Sequence, residues 1–581
     1  MPTRFSHLTA TGSGPAPLAP EALDDSQREF RQTLCQFASE QLAPRRADLE
    51  NFDLALTRQL LDQCAELGLC AVDIPEAHGG LELGWITAVA SSEYLAECRS
   101  ASLMVSLGAV TGIGLLPILL YGTEEQKARW LPGVASGELK GAYALTEPGS
   151  GSDALAASSR AVVDGEHWVI TGRKQYITNA GFADYFIVFA QARSSEGQGF
   201  SAFFVPRDTP GLSIGLEEHK MGLKGSSTAP LILEEVRVPL DHLIGQVGEG
   251  TAIALVTLDL GRLKLGLMDL GLSRVCIRDT VRYTGERRQF GTAIANFEAL
   301  QGKLAAMGSR LLALESMAWR VLGLLADGMG TGDARLHGRE AAVVLESLAL
   351  ESSMVKIHGS ESLFRISDAG LQSLGGYGFI EEYGLAGIFR DNRVDRIFEG
   401  TNEINRQVIV GNLLRAALEG QLTLRNGDRE TPALPGDPPG LAPALDVLHK
   451  VRRAFCTLLD AAITAWGQDL ALRQLAGEDL ADLATTVFAL DSACLRVRHW
   501  HREFKDPHCV MHALGLLACE SLAEARHCAA RLRAGLGDAG AIADEALTAL
   551  DVHRDAQLNP YALSRALAHS LAQHGGWPEG R

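Results

Sequence analysis

The sequence has no CxxC pair: ten cysteines are scattered along its 581 residues, and Cys64, Cys70, Cys494 and Cys519 sit beside Ala and Leu in helical patterns. This excludes a disulfide framework and reads as reduced core thiols of a cytoplasmic protein. Basic charge is scarce. A net charge of −18 argues against nucleic acid as a partner and against a purely electrostatic grip on anionic lipid. Long hydrophobic runs are also missing on this reading. Leu115 to Tyr121 is one run, interrupted by Pro117, and none approaches the roughly 20 residues of a spanning helix. The N-terminus lacks the apolar core of a signal peptide. It is expected to be a disordered tail of a bacterial protein, with a transit peptide to the mitochondrial matrix as the alternative. His499, His501, His508, Cys509 and His512 crowd one stretch, but their spacing fits no standard metal pattern, so no metal is expected.

What is present is ordinary for a soluble globular chain: 46% hydrophobic and 21% charged residues. The length allows two to four domains. A tail over 1–22 leads into a helical domain over 23–140. There Asp25-Ser26-Gln27 starts a helix with Phe30, Leu34, Phe37 and Leu42 at helical spacing, and Pro44 is expected to end it. Residues 141–245 carry short β-rich runs at 168–171, 185–190, 201–205, 231–233 and 236–238, punctuated by Gly and Pro. They predict an inserted antiparallel β domain. Long amphipathic helices return over 246–420, a Pro/Gly-rich linker spans 421–444, and an extra helical domain fills 445–581. In this last domain Lys450, Arg452 and Arg453 beside Phe455 and Leu458 read as bundle packing or a dimer contact, with a peripheral membrane contact as the alternative.

Several short stretches are candidates for chemistry. Residues 396–406 read Arg-Ile-Phe-Glu-Gly-Thr-Asn-Glu-Ile-Asn-Arg. Glu399, between an apolar pair and a glycine, is either a capped helix start or a buried base whose pKa is raised to suit proton abstraction from carbon. Residues 143–153, Tyr-Ala-Leu-Thr-Glu-Pro-Gly-Ser-Gly-Ser-Asp, are an ordinary turn or a loop whose N–H groups approach an anion. The stretch Gln-Tyr-Ile-Thr-Asn-Ala-Gly at 175–181 is a strand end or a stacking surface for a flat ring. Gly-Glu-Arg-Arg-Gln-Phe-Gly at 285–291 is a solvated helix end or a pyrophosphate contact. Gln-Ser-Leu-Gly-Gly-Tyr-Gly-Phe at 372–379 is a tight loop or a close backbone approach to a ligand.

Taken in this order and spacing, and with Met221-Gly-Leu-Lys-Gly-Ser-Ser-Thr228 and Val236-Arg-Val-Pro239, these segments resemble the acyl-CoA dehydrogenase family over about residues 25–420. The linker and the further helical domain look like its very-long-chain branch. The resemblance implies a mainly α fold with an inserted β domain: a helical N-terminal domain, a β-barrel-like middle domain, a C-terminal four-helix bundle and the extra helical domain. It also implies non-covalent FAD, an acyl-CoA substrate, electron-transferring flavoprotein as acceptor and a homodimer. Two rivals go with it, a flavin oxidase of the same fold and a scaffold role.

The resemblance carries roles to particular residues. Tyr143, Leu145, Thr146, Gly151 and Ser152 match the loop along the flavin, Ser152 also lying near the pantetheine. Tyr176 and Thr178 match the pair on the flavin's other face, where many members have Trp in place of Tyr176. Arg287, with Phe290 after it, matches the arginine that reaches the FAD of a neighbouring subunit. Glu298 stands where Gln is frequent. Gln372, Gly375, Gly376, Thr401 and Glu403 match further flavin contacts. Glu399 matches the base that takes the α-proton while the β-hydrogen passes as hydride to flavin N5. Asp259 and Arg262 match an element on the CoA side, and Gly400 the substrate side. Gly261 occupies the alternative base position of isovaleryl-type members and cannot serve as one. Gly108 and Ala109 fall where a larger residue closes the medium-chain pocket, which implies a deep slot for long chains, each buried methylene contributing about 0.8 kcal/mol.

Overall fold

The computed structural model describes residues 6–9, 16–195, 197–422, 424, 434–550 and 558–578. Residues 423 and 425–433 of the expected linker lie outside them. Asp24 caps the first long helix, Asp25–Phe37, in a reciprocal capping box with Gln27. Pro44 does not stop the helical path. A π turn over Ala38–Leu42 passes into a 3-10 turn over Ala43–Arg45, and then into the helix Arg46–Glu50. Pro44 sits in the first turn of its segment, where its missing N–H costs nothing.

Ala101–Tyr121 corrects the expectation about apolar runs. It is 21 residues long and apolar enough in composition to cross a membrane. Yet 78% of its most apolar window is buried, and it forms a core layer against the later bundle. Small and hydroxyl residues (Ser102, Ser106, Gly108, Thr111, Gly112) hide this run from a count of consecutive large apolar side chains.

The middle domain is an eight-stranded sheet. Its strands are β1 (Gly141–Ala144), β2 (Arg160–Asp164), β3 (His167–Thr178), β4 (Tyr185–Arg193), β5 (Gln198–Pro206), β6 (Leu212–Ile214), β7 (Thr228–Pro239) and β8 (Leu243–Ile244). The order is β6-β7-β3-β2-β4-β5-β8, with β1 on β4. The sheet is mixed rather than antiparallel, because β4 pairs in parallel with both β1 and β2. The runs at 231–233 and 236–238 are a single strand, β7, kinked at Glu235 with φ +52°.

Four long helices, Gly250–Glu286, Glu298–Met329, Ala349–Leu374 and Asn402–Leu418, make the bundle. The helices Leu441–Trp466, Gln474–Trp500, Pro507–Gly535, Ala541–Leu550 and Pro560–His574 pack on it, mainly along Glu298–Met329. One continuous apolar core joins all the helical parts, and a second lies inside the sheet. The described part of the N-terminal segment is not a free tail. Leu8 and Ala19 are fully buried, and the Trp500 indole donates to the Pro17 carbonyl at 3.0 Å. Glu21 ion-pairs with Arg496 at 2.6 Å, and Arg496 also meets Glu315 at 2.6 Å. Arg274 continues this buried chain of charges, touching Glu315 and Glu93.

The stretch 450–458 packs into the bundle. Arg452 is fully buried against Asp491, Lys450 and Arg453 pair with Asp446 and Glu545, and Phe455 and Leu458 are core residues.

Candidate active site

Glu399 lies between the short helical turn Arg393–Arg396 and the helix Asn402–Leu418. Its φ is +55°, followed by Gly400 at +79°. A left-handed non-glycine residue costs of order 1 kcal/mol and persists only where its surroundings hold it. Here they do. Arg262 Nε donates to the Glu399 carbonyl at 3.2 Å. Lys356 Nζ donates to the Gly400 carbonyl at 2.7 Å. Asn405 Nδ2 reaches the carbonyls of Glu399, Gly400 and Thr401 at 3.3, 2.8 and 3.0 Å. With three consecutive carbonyls held, the direction of the Glu399 side chain is fixed.

The carboxylate points inward. Among the described residues nothing hydrogen-bonds its buried Oε2. Burial raises its pKa to about 7, while Arg262 and Lys356 pull the other way. A Cβ added to Gly261 would lie 2.7 Å from Oε2 and 3.0 Å from the carboxyl carbon, so only glycine leaves room for the acid there. Glu399 lines a largely apolar cavity of about 120 Å³, with Thr178, Gly108, Ala109, Gly261 and Phe398 also in its wall. Asp259 and Arg262, expected on the CoA side, are each only 4% exposed and paired at 2.6 Å. They do not line this cavity. They brace the Glu399 loop from behind.

The remaining candidates fall into two groups. Tyr143 and Leu145 are buried at the end of β1. Tyr143 stacks edgewise on Phe189, and its hydroxyl is buried without a partner among the described residues. The Thr146 carbonyl accepts the Gln175 N–H at 2.9 Å. Gly151 and Ser152 are exposed on the loop beyond. Tyr176 stands out from β3, 63% exposed with φ +60°, because a bulge between Lys174 and Ile177 re-aims it. Thr401 caps the Asn402–Leu418 helix through Ile404 N–H at 3.2 Å, and Glu403 is exposed in its first turn.

Arg287, Phe290, Gln372, Gly375 and Gly376 line a second, open cleft that shares no residue with the Glu399 cavity. There Phe290 is 95% exposed. Gly151, Gly375 and Gly376 have no atom within 4 Å of where a Cβ would sit. The orphaned Tyr143 hydroxyl, the exposed Tyr176 ring and these bare backbone edges fit a large flat ligand with an anionic tail.

Sequence reasoning missed Lys356 and Asn405, which hold the Glu399 loop. It also missed the buried pair Lys174–Glu147, 2.7 Å apart. Glu147 accepts from Ser158 and Ser159, and Lys174 Nζ also donates to the Leu145 carbonyl at 3.1 Å. The only signal in the sequence was a charged residue inside a β-rich or helical run.

Two helical units clasping a sheet, with an apolar slot that ends on a buried carboxyl poised near neutrality, are the architecture of an enzyme acting on an apolar chain. Family models described as acyl-CoA dehydrogenase N-terminal, middle and C-terminal domains match residues 24–138, 142–236 and 248–414. A probable acyl-CoA dehydrogenase of Bacillus subtilis is 42% identical over 488 residues, covering 82% of this chain and 81% of that protein. The mitochondrial short-chain specific acyl-CoA dehydrogenase of Rattus norvegicus is 37% identical, covering 68% and 91%. Among solved structures, an acyl-CoA dehydrogenase from Bacillus anthracis complexed with FAD superposes with a TM-score of 0.92 at 33% identity, covering 98% of this chain and 99% of that one. A chain from the electron transferring flavoprotein structure of Acidaminococcus fermentans gives 0.61 at 33% identity, covering 68% and 99%. This chain belongs to the acyl-CoA dehydrogenase family.

Proposed function

We propose that this protein is an FAD-dependent oxidoreductase that removes the α-proton and a β-hydrogen from an acyl-CoA, with Glu399 as the base. The observation that carries the reading is the Glu399 carboxyl, buried at the end of an apolar slot, fixed by its loop and raised to about 7. A base of that pKa is matched to working pH. FAD, when bound, supplies the acceptor for the β-hydrogen and its electron pair. The residues around Tyr143, Tyr176 and Ser152 would hold it. The Glu399 N–H donates to the thioester oxygen as charge develops there, which costs no reorganisation.

Arg287 and Phe290 stand on an exposed face, and a homodimer in which this face serves a second copy's cofactor explains that exposure. Electron-transferring flavoprotein is the proposed acceptor, supported by the relative that carries its name. Among the described residues no disulfide joins the cysteines, in keeping with the cytoplasmic setting we propose. For chain length we propose short to medium acyl groups rather than very long ones. Gly108 and Ala109 line the slot and favour depth, but a rat relative specific for short chains covers the catalytic part of this chain.

The test is anaerobic bleaching of the bound flavin by acyl-CoAs of graded length. Short chains should bleach the wild type fastest. Glu399→Gln should keep its flavin and lose bleaching by about 10³-fold or more. Bleaching that survives the substitution would place the base elsewhere.

A further inference from the structure

The wall of the acyl slot carries a cation that the dehydrogenation does not use. Gly261, Lys264, Leu265 and Met268 share one face of the helix Gly250–Glu286 and line the slot over two turns, about 10 Å of wall. Lys264 comes one turn beyond the glycine that contacts Glu399. Its Nζ donates to the Thr111 carbonyl at 3.0 Å, so the side chain ties the helix to the segment 109–113 beside it. Gly112 lies against this side chain, where a Cβ would be 3.9 Å from Nζ. The slot is also walled by Leu107, Val105, Leu265 and Met268, with Ser91 and Ser92 as further hydroxyl residues in the wall.

The groups facing Lys264 are few. Thr111 gives it a carbonyl, while the Thr111 hydroxyl is turned to the Leu107 carbonyl at 3.1 Å. Asp73 is near enough to favour the ammonium, and its buried Oδ2 has no hydrogen-bond partner among the described residues. Burial disfavours the charged form of both side chains. An ammonium offers three N–H donors, and the structure assigns one of them a protein acceptor. A methyl-ended acyl chain pressed against this group would leave the others dry and unsatisfied, which is costly. An oxygen at that depth would satisfy them. Sites built to hydrogen-bond a substrate reject the analogue lacking that group far more strongly than apolar pockets reject one methylene.

We propose that Lys264 selects acyl groups whose far end carries an oxygen acceptor, a carboxylate or a hydroxyl, set a few carbons beyond the reacting α and β positions. This rests on the slot being the acyl site, as proposed above. Lys264 would act in binding and leave the chemical step to Glu399.

The test uses the flavin-loaded full chain, wild type, Lys264→Met and Lys264→Arg, with hexanoyl-CoA and its ω-hydroxy and ω-carboxy counterparts. Two readouts are needed: kcat/KM, and equilibrium binding of the same thioesters by calorimetry in a Glu399→Gln background. The wild type should favour an ω-oxygenated thioester over hexanoyl-CoA by about tenfold or more, a range set by hydrogen bonds to charged groups. Lys264→Met should abolish that preference in both readouts, chiefly through KM, and Lys264→Arg should keep part of it. Preference for the carboxylate identifies the anion as the ligand, and preference for the hydroxyl the neutral group. The proposal is overturned if the wild type prefers plain hexanoyl-CoA, or if Lys264→Met merely admits longer plain chains. If no thioester bleaches the flavin or binds, the underlying reading of the slot falls as well. Thermal melting of each variant guards against misfolding, and replacing a buried ammonium by Met removes a desolvation cost.

Discussion

At the scale of residues, the site turns on two neighbours with opposite requirements. Glu399 must be an acid in a dry place, and Gly261 must have no side chain. Because burial raises Glu399 to about 7, its basic form grows as pH rises through that value. kcat/KM should therefore climb about tenfold per pH unit below 7 and level off above it; a profile flat from pH 5 to 8 would exclude Glu399 as the titrating base. Gly261→Ala places a methyl 2.7 Å from Glu399 Oε2 and forces the carboxylate aside. The rate of flavin bleaching should fall by about 10²-fold, the order expected for a misplacement near 1 Å, while flavin content and melting temperature change little. Glu399 was legible in the sequence because a short motif in the chain surrounds it. Lys356 was not, because its partner is a backbone carbonyl 44 residues away, and no local pattern distinguishes such a lysine from a solvated one.

At the scale of elements, the loop after β1 is held by a charge pair set inside the sheet. Lys174 and Glu147 are both essentially without solvent exposure. Removing one partner leaves the other charged and dry, so Lys174→Met should cost about 3–5 kcal/mol in denaturant unfolding. Adding Glu147→Leu should recover much of that loss, and no recovery would mean that the loop depends on Glu147 accepting from Ser158 and Ser159. The same stretch shows where strand patterns mislead. Trp168, Ile170 and Lys174 point inward as period two demands, and the bulge before Ile177 then shifts the phase. Ile177 is thereby buried, and Tyr176 is left outward. A bulge is fixed by pairing with β7, a strand that begins 50 residues after Thr178, so alternation alone could not reveal it. The break between 233 and 236 in β7 had the same origin, one left-handed residue read as a strand end.

At the scale of the whole molecule, the helical extension and the N-terminal segment are joined to the catalytic bundle by buried charge. Arg496 bridges Glu21 and Glu315 from the helix Gln474–Trp500. Arg496→Met should strip Glu21 of its ion-pair partner, leave Glu315 with Arg274 alone, and lower stability by about 3–5 kcal/mol, read as a melting shift of the whole protein. A separate early transition for the C-terminal helices would argue against a shared core. Helical patterns made the extension readable as helices, but not its contacts, since periodicity marks a buried face without naming what covers it. Composition likewise gave no sign that residues 16–22 were anchored, because their partners lie near residue 500.

The stretch Ala101–Tyr121 has a further consequence, which concerns synthesis rather than the finished fold. Its cover, the helix starting at Gly250, lies roughly 130 residues downstream, so at 5–20 residues per second the ribosome supplies it about ten seconds later. Through that interval a charge-free, membrane-like segment is outside the exit tunnel with only its neighbours in the N-terminal part of the chain to cover it. The growing chain is then a client for holding chaperones and for the machinery that recognises membrane spans, and slower translation between these two segments would lengthen its exposure.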